Sequence, residues 1–314
     1  MLTRREALTR REALTLPMAS SLAAALAGSA AAATPFAVAY AGSMGALMDQ
    51  GIGPAFSAGA HVAFQGIGRG AFALARLIAA RKMVVNSFIP ITAAPFAIVH
   101  GAGLAASAVP VASTQMCLPY SPKSPHAKLF AAVAAGHEPL PAALLAAGVR
   151  FGRTDPRTDP QGRNILFTMK LAEIYYKSPG LAARVLGPAM NPRQIFAEPS
   201  LLARLQAGQI DLASGYLSAV HAQRLPYIAL PAETNLGDAT LAATWYARAR
   251  MAVPAAHGTV TVAPEPLVFY AMTLANAPQP KAAAAFLAFL AGARGQALFA
   301  TFGYSPPSGP TLNA

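Results

Sequence analysis

The segment Phe151–Tyr176, FGRTDPRTDPQGRNILFTMKLAEIYY, holds the densest group of residues with a chemical use. Asp155-Pro156 and Asp159-Pro160 each break the backbone into a tight turn, and Gly162 follows the second. Leu166, Met169, Leu171, Ile174 and Tyr175 then recur at roughly helical spacing, which predicts a helix over Ile165–Tyr176. A loop that feeds a helix in this way presents unpaired backbone N–H groups at the positive end of the helix dipole, an arrangement that attracts an anion. Asp159 has an equally simple structural use as an Asx-turn residue before Pro160. Two serines add hydroxyl donors: Ser43 beside Gly42, and Ser87 beyond the apolar run Met83–Val85. Such donors suit a tetrahedral dianion, which needs many hydrogen-bond donors and very few acceptors. Ser43 serves equally well as the cap of a helix starting at Met44, and Ser87 as a plain turn serine.

Other chemistries find little support. No acidic residue lies between Asp49 and Glu138, so paired carboxylates for acid–base work would have to come from the later part of the chain. The six His show neither H-x-x-x-H nor H-E-x-x-H spacing, and Cys117 is the single cysteine, so neither a resident metal nor a disulfide is expected. Gly66-Ile67-Gly68-Arg69-Gly70 reads as a turn but lacks G-x-G-x-x-G spacing and an acid about 20 residues on, which argues against a dinucleotide cofactor. No catalytic residue and no cofactor are assigned. The chain carries 24 Lys+Arg against 12 Asp+Glu. These cations are scattered with no basic run or aromatic interleaving, so small-anion attraction or plain Arg-rich composition explains them better than nucleic acid.

The elements that position these groups alternate. A strand Phe36–Tyr40 leads through Ser43 to a helix Met44–Phe56. A strand His61–Gln65 leads through the glycine turn to a helix ending at Arg81, and the strand Met83–Val85 follows. This order predicts an α/β sheet with crossovers, whose ligands gather at the carboxyl ends of the strands. The strand Gln115–Leu118, with Cys117 as a small buried hydrophobe, leads to Pro119, Pro122 and Pro125 and a second lobe. Pro264 and Pro266 precede the returning strand Leu267–Met272, and a packing helix Lys281–Leu290 follows. Two crossings between lobes make a hinge.

Taken together, these segments resemble the molybdate/tungstate-binding periplasmic receptors of ABC importers, proteins of the class II periplasmic-binding-protein type. The Asp-Pro loop is similar to their "GRxDPxxDPxGYR" loop-helix, with Arg163-Asn164 where the family has Tyr. Ala41-Gly42-Ser43, Met83–Ser87, Met116–Ala127, Leu205–Val220, Tyr227–Asp238 and Pro266–Leu290 repeat the likeness in the same order. The resemblance implies a two-lobed α/β fold with a ligand cleft between the lobes and two hinge crossings. Lobe 1 is expected over residues 34–118 and 265–314 and lobe 2 over 119–264. It implies a monomeric receptor that takes a small oxyanion, molybdate or tungstate and otherwise sulfate, to a membrane permease. The cleft residues it implies are Ser43, Ser87, Asp159, Gln161, Gly162 and Tyr216. Some members place a carboxylate from the Asp-Pro loop, and a Glu just before the equivalent tyrosine, on the metal of the oxyanion. Gly215 stands at that second position here, so tetrahedral ligation is expected, with Asp159 turned away.

The first residues read as an export signal. Thr3-Arg4-Arg5-Glu6-Ala7-Leu8 and Thr9-Arg10-Arg11-Glu12-Ala13-Leu14 are twin-arginine patterns ahead of the apolar run Leu16–Ala27, and Ala31–Ala33 offers a cleavage site. Residues 1–33 are therefore expected to be a removed leader, Tat or Sec, and the mature chain to be periplasmic. The apolar run falls short of the ~20 residues that span a bilayer.

Overall fold

The computed structural model describes residues 34–313, so the expected leader lies outside the described residues. Within them, the larger sheet has the order β13-β4-β12-β3-β1-β2. Its strands are β1 (Phe36–Ala41), β2 (Phe64–Arg69), β3 (Ser87–Ile89), β4 (Ser107–Ser113), β12 (Val268–Thr273) and β13 (Leu312–Asn313). β1 pairs in parallel with β2 and β3, and β12 runs antiparallel to β3 and β4. Five of the six residues of β1 are buried, as in a strand covered by helices on both faces. Phe36 anchors that cover: its ring lies 5.2 Å from Phe56 and 5.5 Å from Phe286 of the helix Pro280–Ala291.

Three elements differ from the sequence reading, each for a packing reason. The helix expected over Met44–Phe56 is a 3-10 turn (Gly42–Met44), an α turn, a π turn (Met48–Ile52) and an α-helix running to Ala60. Pro54 supplies no N–H, so the turn ahead of it widens. The glycines expected to form a turn lie inside β2, because the Tyr40 ring crosses them from the paired strand. A Cβ on Gly68 would sit 2.8 Å from that ring, and one on Gly66 2.5 Å from its hydroxyl. The strand expected at Met83–Val85 instead begins at Ser87, and Val84 is exposed.

The second group of strands comprises β5 (Met116–Pro119), β6 (Phe151–Gly152), β7 (Leu212–Ala213), β8 (Gly215–Tyr216) and β9 (Tyr227–Ala229). β5 lies between β8 and β9, β6 pairs in parallel with β7, and a bridge from Tyr120 to Leu212 joins the two sets. The chain thus passes from the larger sheet to this group between Ser113 and Met116, ahead of β5. It returns before β12, after a hairpin of β10 (Met251–Pro254) and β11 (Thr259–Val262) that the sequence reading does not contain. The helix Pro160–Tyr175 fills the middle of the second group, and 11 of its 16 residues are buried. Cys117 is buried and free. Among the described residues, no single helix is long and apolar enough to cross a membrane.

Candidate functional site: a buried hydroxyl and carboxyl cluster

The Asp-Pro loop and its helix are built by their own sequence. Asp159 is the N-cap: its Oδ1 accepts from Gln161 N at 2.9 Å, and Pro160 takes the first helical position, where a missing N–H costs nothing. The helix therefore starts five residues before Ile165. Gly162 lets this first turn lie against the loop, since a Cβ there would be 2.8 Å from the Asp155 carbonyl carbon and nearer still to Thr154 O. Gly162 thus seats the loop against the first turn of the helix. Gln161 accepts from Ser214 Oγ at 3.2 Å and lines a cavity with Gly42, Ser43 and Glu198. Tyr216, on β8, is buried, and its hydroxyl accepts from Asn164 Nδ2 at 3.0 Å, which leaves the phenolic proton free to donate.

From the other side, Ser43 lies inside the 3-10 turn that ends β1. Its side chain makes no capping bond, and its Oγ is buried without a partner. Gly70 brings the end of β2 against the loop: a Cβ there would stand 2.5 Å from Thr158 O and 3.2 Å from Asp159 Cβ. An open cavity of about 490 Å³ is lined here by Arg69, Gly70, Thr154, Asp159 and Glu198.

Four of the expected cleft residues thus group about Glu198: Ser43 and Gln161 line one cavity with it, Asp159 lines a second, and burial followed by the charge of both acids raises the Tyr216 phenol. Ser87 does not join them. It opens β3 opposite Val38 and Thr273, three positions or about 10 Å before the end of β1, whereas Ser43 lies beyond that end in the 3-10 turn. The hydroxyl at the carboxyl end of β3 belongs to Thr92, which is buried beside Arg163 and Asn164. The cationic candidates also divide. Arg153 is fully buried and clamps a loop through the carbonyls of Pro188 (3.0 Å) and Ala189 (2.9 Å), while Arg163 lies over the Phe72 ring at 4.2 Å. Only Arg69 of the three lines the cavity that holds Asp159 and Glu198.

Glu198 is the residue that sequence reasoning misses. It opens the helix Glu198–Ala207, and its carboxyl group lies over Gly42, so that a Cβ there would be 2.7 Å from Glu198 Cδ. Gly215 brings no carboxylate, as expected, but Asp159 is not the one acid in the cleft.

Residues 36–305 match a family described as bacterial extracellular solute-binding protein. The chain belongs to that family. Over 177 residues it is 36% identical to an uncharacterized solute-binding protein of Petrotoga mobilis, covering 54% of each chain. Over 170 residues it is 29% identical to the molybdate/tungstate-binding protein of Thermococcus kodakarensis, covering 48% of this chain and 47% of that one. The matched region spans about half the length of these curated relatives. The periplasmic molybdate-binding protein of Azotobacter vinelandii superposes with a TM-score of 0.62 at 16% identity, over 87% of this chain and 100% of that one. This likeness establishes the two-lobed α/β fold of a periplasmic binding protein.

Electrostatically, the cleft of this solute-binding protein is unusual. The ion pairs among the described residues are Arg150–Asp211, Arg157–Asp155 and Lys170–Glu173, and none uses Asp159 or Glu198. Asp159 Oδ2 and Glu198 Oε2 are both out of solvent without a partner. Burial first pushes the Asp159 carboxyl up to about 6, against the pull of the Gln161 N–H. Burial and then the charge of Asp159 raise Glu198 well above the usual carboxylate range, and the same two causes raise the Tyr216 phenol. The cleft therefore holds its acids in their neutral, hydrogen-donating forms more readily than exposed carboxylates would be held.

Proposed function

We propose that this protein captures a small tetrahedral oxyanion, molybdate or tungstate before sulfate, and delivers it to the permease of an ABC importer. The observation that carries the reading is the group of uncharged donors around the Gly42–Ser43 turn: the buried Ser43 hydroxyl without a partner and the Gln161 amide at the head of a 16-residue helix share one cavity, and the buried Tyr216 phenol is tied to the same helix through Asn164. Helix ends and fixed hydroxyls compensate a dianion without a counter-charge. The Thermococcus relative's name supports the choice of ligand. Thr92 is a further candidate hydroxyl, and Ser87 has no part in this site.

In this reading the protein is a binding protein and not an enzyme. It is exported by the segment 1–33 and works as a monomer without a cofactor or nucleic acid. The lobes meet near Thr114 and Pro264, the protein closes on its ligand, and ligation is tetrahedral, because Gly215 brings no carboxylate beside Tyr216 and burial favours the neutral forms of Asp159 and Glu198. The same pocket would serve a periplasmic sensor, and a neighbouring permease gene separates the two roles. Isothermal titration calorimetry of the mature protein against molybdate, tungstate, sulfate and phosphate, with elemental analysis of the purified protein, tests the proposal. Absence of heat and of molybdenum or tungsten with every anion would reject it. X-ray absorption of the tungstate complex should show four oxygen neighbours, and added protein oxygens would overturn the tetrahedral geometry.

A further inference from the structure

Two carboxyls in a cleft that is to receive a dianion, Asp159 buried and Glu198 partly so, pose a charge problem, and among the described residues no cation is salt-bridged to either one. Asp159 and Glu198 come from the heads of two different helices and line one cavity, Asp159 against Gly70 at the end of β2 and Glu198 over Gly42 after β1. Each has one oxygen out of solvent with no partner. Glu198 is placed most tellingly. Its carboxyl lies over Gly42, where a Cβ would stand 2.7 Å from Glu198 Cδ, and it lines one cavity with Gly42 and Ser43, the turn on which an oxyanion oxygen would rest. The groups facing the pair are few. Asp155 adds a like charge beyond Asp159 but is held by Arg157 at 2.7 Å. The Tyr216 and Tyr304 phenols are buried and stay protonated, and Arg69 stands in the open cavity beside both acids.

We propose that Asp159 and Glu198 act as a carboxyl pair that takes up a proton as the oxyanion binds, Glu198 being the specificity-determining member that donates to an anion oxygen seated on the Gly42–Ser43 turn. The inference rests on the oxyanion reading above. Like charges forced together in a dry site share a proton in preference to both ionising, and a dianion between them strengthens that preference. The high carboxyl affinities for protons already noted point the same way. Binding therefore tightens as pH falls. By linkage, one proton taken up per anion means a dissociation constant that rises up to about tenfold per pH unit where the free pair has lost that proton. A neutral carboxylic acid also offers both a donor and an acceptor, so Glu198 ranks anions by their protonation as well as by their size.

The experiment uses the mature protein with tungstate and with sulfate, both dianions between about pH 6 and about pH 9, so that a pH dependence across that range belongs to the protein and not to the anion. Calorimetry is run in two buffers of different ionisation heat. Wild type should show weakening affinity with rising pH and a buffer-dependent heat corresponding to proton uptake. Glu198→Gln, whose amide still donates, should bind with most of the pH slope and buffer dependence removed. Binding that is independent of pH and buffer in wild type would overturn the inference while leaving the oxyanion reading intact. A Glu198→Gln protein that keeps the wild-type slope would overturn it too. So would one that is folded by circular dichroism but no longer binds, since that result demands a negative carboxylate. No binding of either anion by wild type would instead bring down the oxyanion reading and this inference together.

Discussion

Replacing Gly70 with Ala tests whether the two halves of the cleft close on the ligand. Gly70 ends the turn after β2, and the methyl group would fall 2.5 Å from Thr158 O and 3.2 Å from Asp159 Cβ. Ordinary contact needs roughly 3.5–4.0 Å. The carbonyl cannot retreat freely, because it also accepts Ala73 N at 3.1 Å across the same gap. Overpacking of this kind costs ~1–3 kcal/mol, or roughly 5- to 150-fold in dissociation constant at about 1.4 kcal/mol per decade. The Gly70 φ of −54° suits alanine, so the strain belongs to the contact and not to the backbone. If the halves separate in the unliganded protein, opening relieves the overlap. The melting temperature without ligand then changes little, and the penalty appears in tungstate affinity and in the thermal shift that tungstate produces. Gly59→Ala is the matched control: a Cβ there meets nothing within 4 Å, and its helical position should gain up to about 1 kcal/mol of stability. Unchanged tungstate affinity in Gly70→Ala, or an equal loss of stability with and without ligand, would refute closure through this contact.

Ser43→Ala should weaken tungstate binding by roughly 10- to 150-fold, the ~1.5–3 kcal/mol of one hydrogen bond to a charged group, while Ser87→Ala leaves it unchanged; calorimetry giving the reverse pattern would relocate the site. The raised Asp159 carboxyl, about 6 against an ordinary 3.8, contributes stability that is full below about pH 4 and is lost as pH rises through about 6, up to about 3 kcal/mol. Asp159→Asn, which can still cap the helix, should flatten the stability profile across that window in denaturant titrations, and a profile parallel to wild type would exclude the assignment. Molybdate and tungstate should bind nearly equally and more tightly than sulfate, with phosphate weakest at low pH, where the carboxyl pair offers the fewest acceptors; competition calorimetry at two pH values measures the order. Mass spectrometry of the exported protein should show a mature chain beginning at or a few residues before Thr34, and a periplasmic form retaining Met1 would remove the leader assignment.

What the sequence made legible were the features written in local pattern. The Asp-Pro turns and the apolar spacing after Gly162 announce a loop and helix, and the structure adds only that capping by Asp159 starts the helix five residues sooner. Pro264 and Pro266 mark the return to the larger sheet, and β12 begins at Val268 as their placement implies. The failures share a cause in contacts made far along the chain. Gly66 and Gly68 read as a turn until Tyr40 is laid across them from the neighbouring strand. Ser87 reads as the carboxyl end of a strand because Met83-Val84-Val85 is as apolar as Phe88-Ile89, and only pairing with β1 selects the later run. Glu198 is the instructive case. An acid at the first position of a helix is ordinary dipole complementation, and nothing nearby in sequence distinguishes it from a solvated residue. Its meaning comes from Gly42, more than 150 positions earlier, whose missing side chain lets the carboxyl rest on the turn after β1. Just before Tyr216, where the family resemblance implies a second carboxylate, stands Gly215. The fold instead supplies one from a different helix, where burial favours the protonated acid over the carboxylate. An acid of that kind can accompany a dianion without repelling it, which is why its presence does not conflict with oxyanion binding but changes the conditions under which binding is tight.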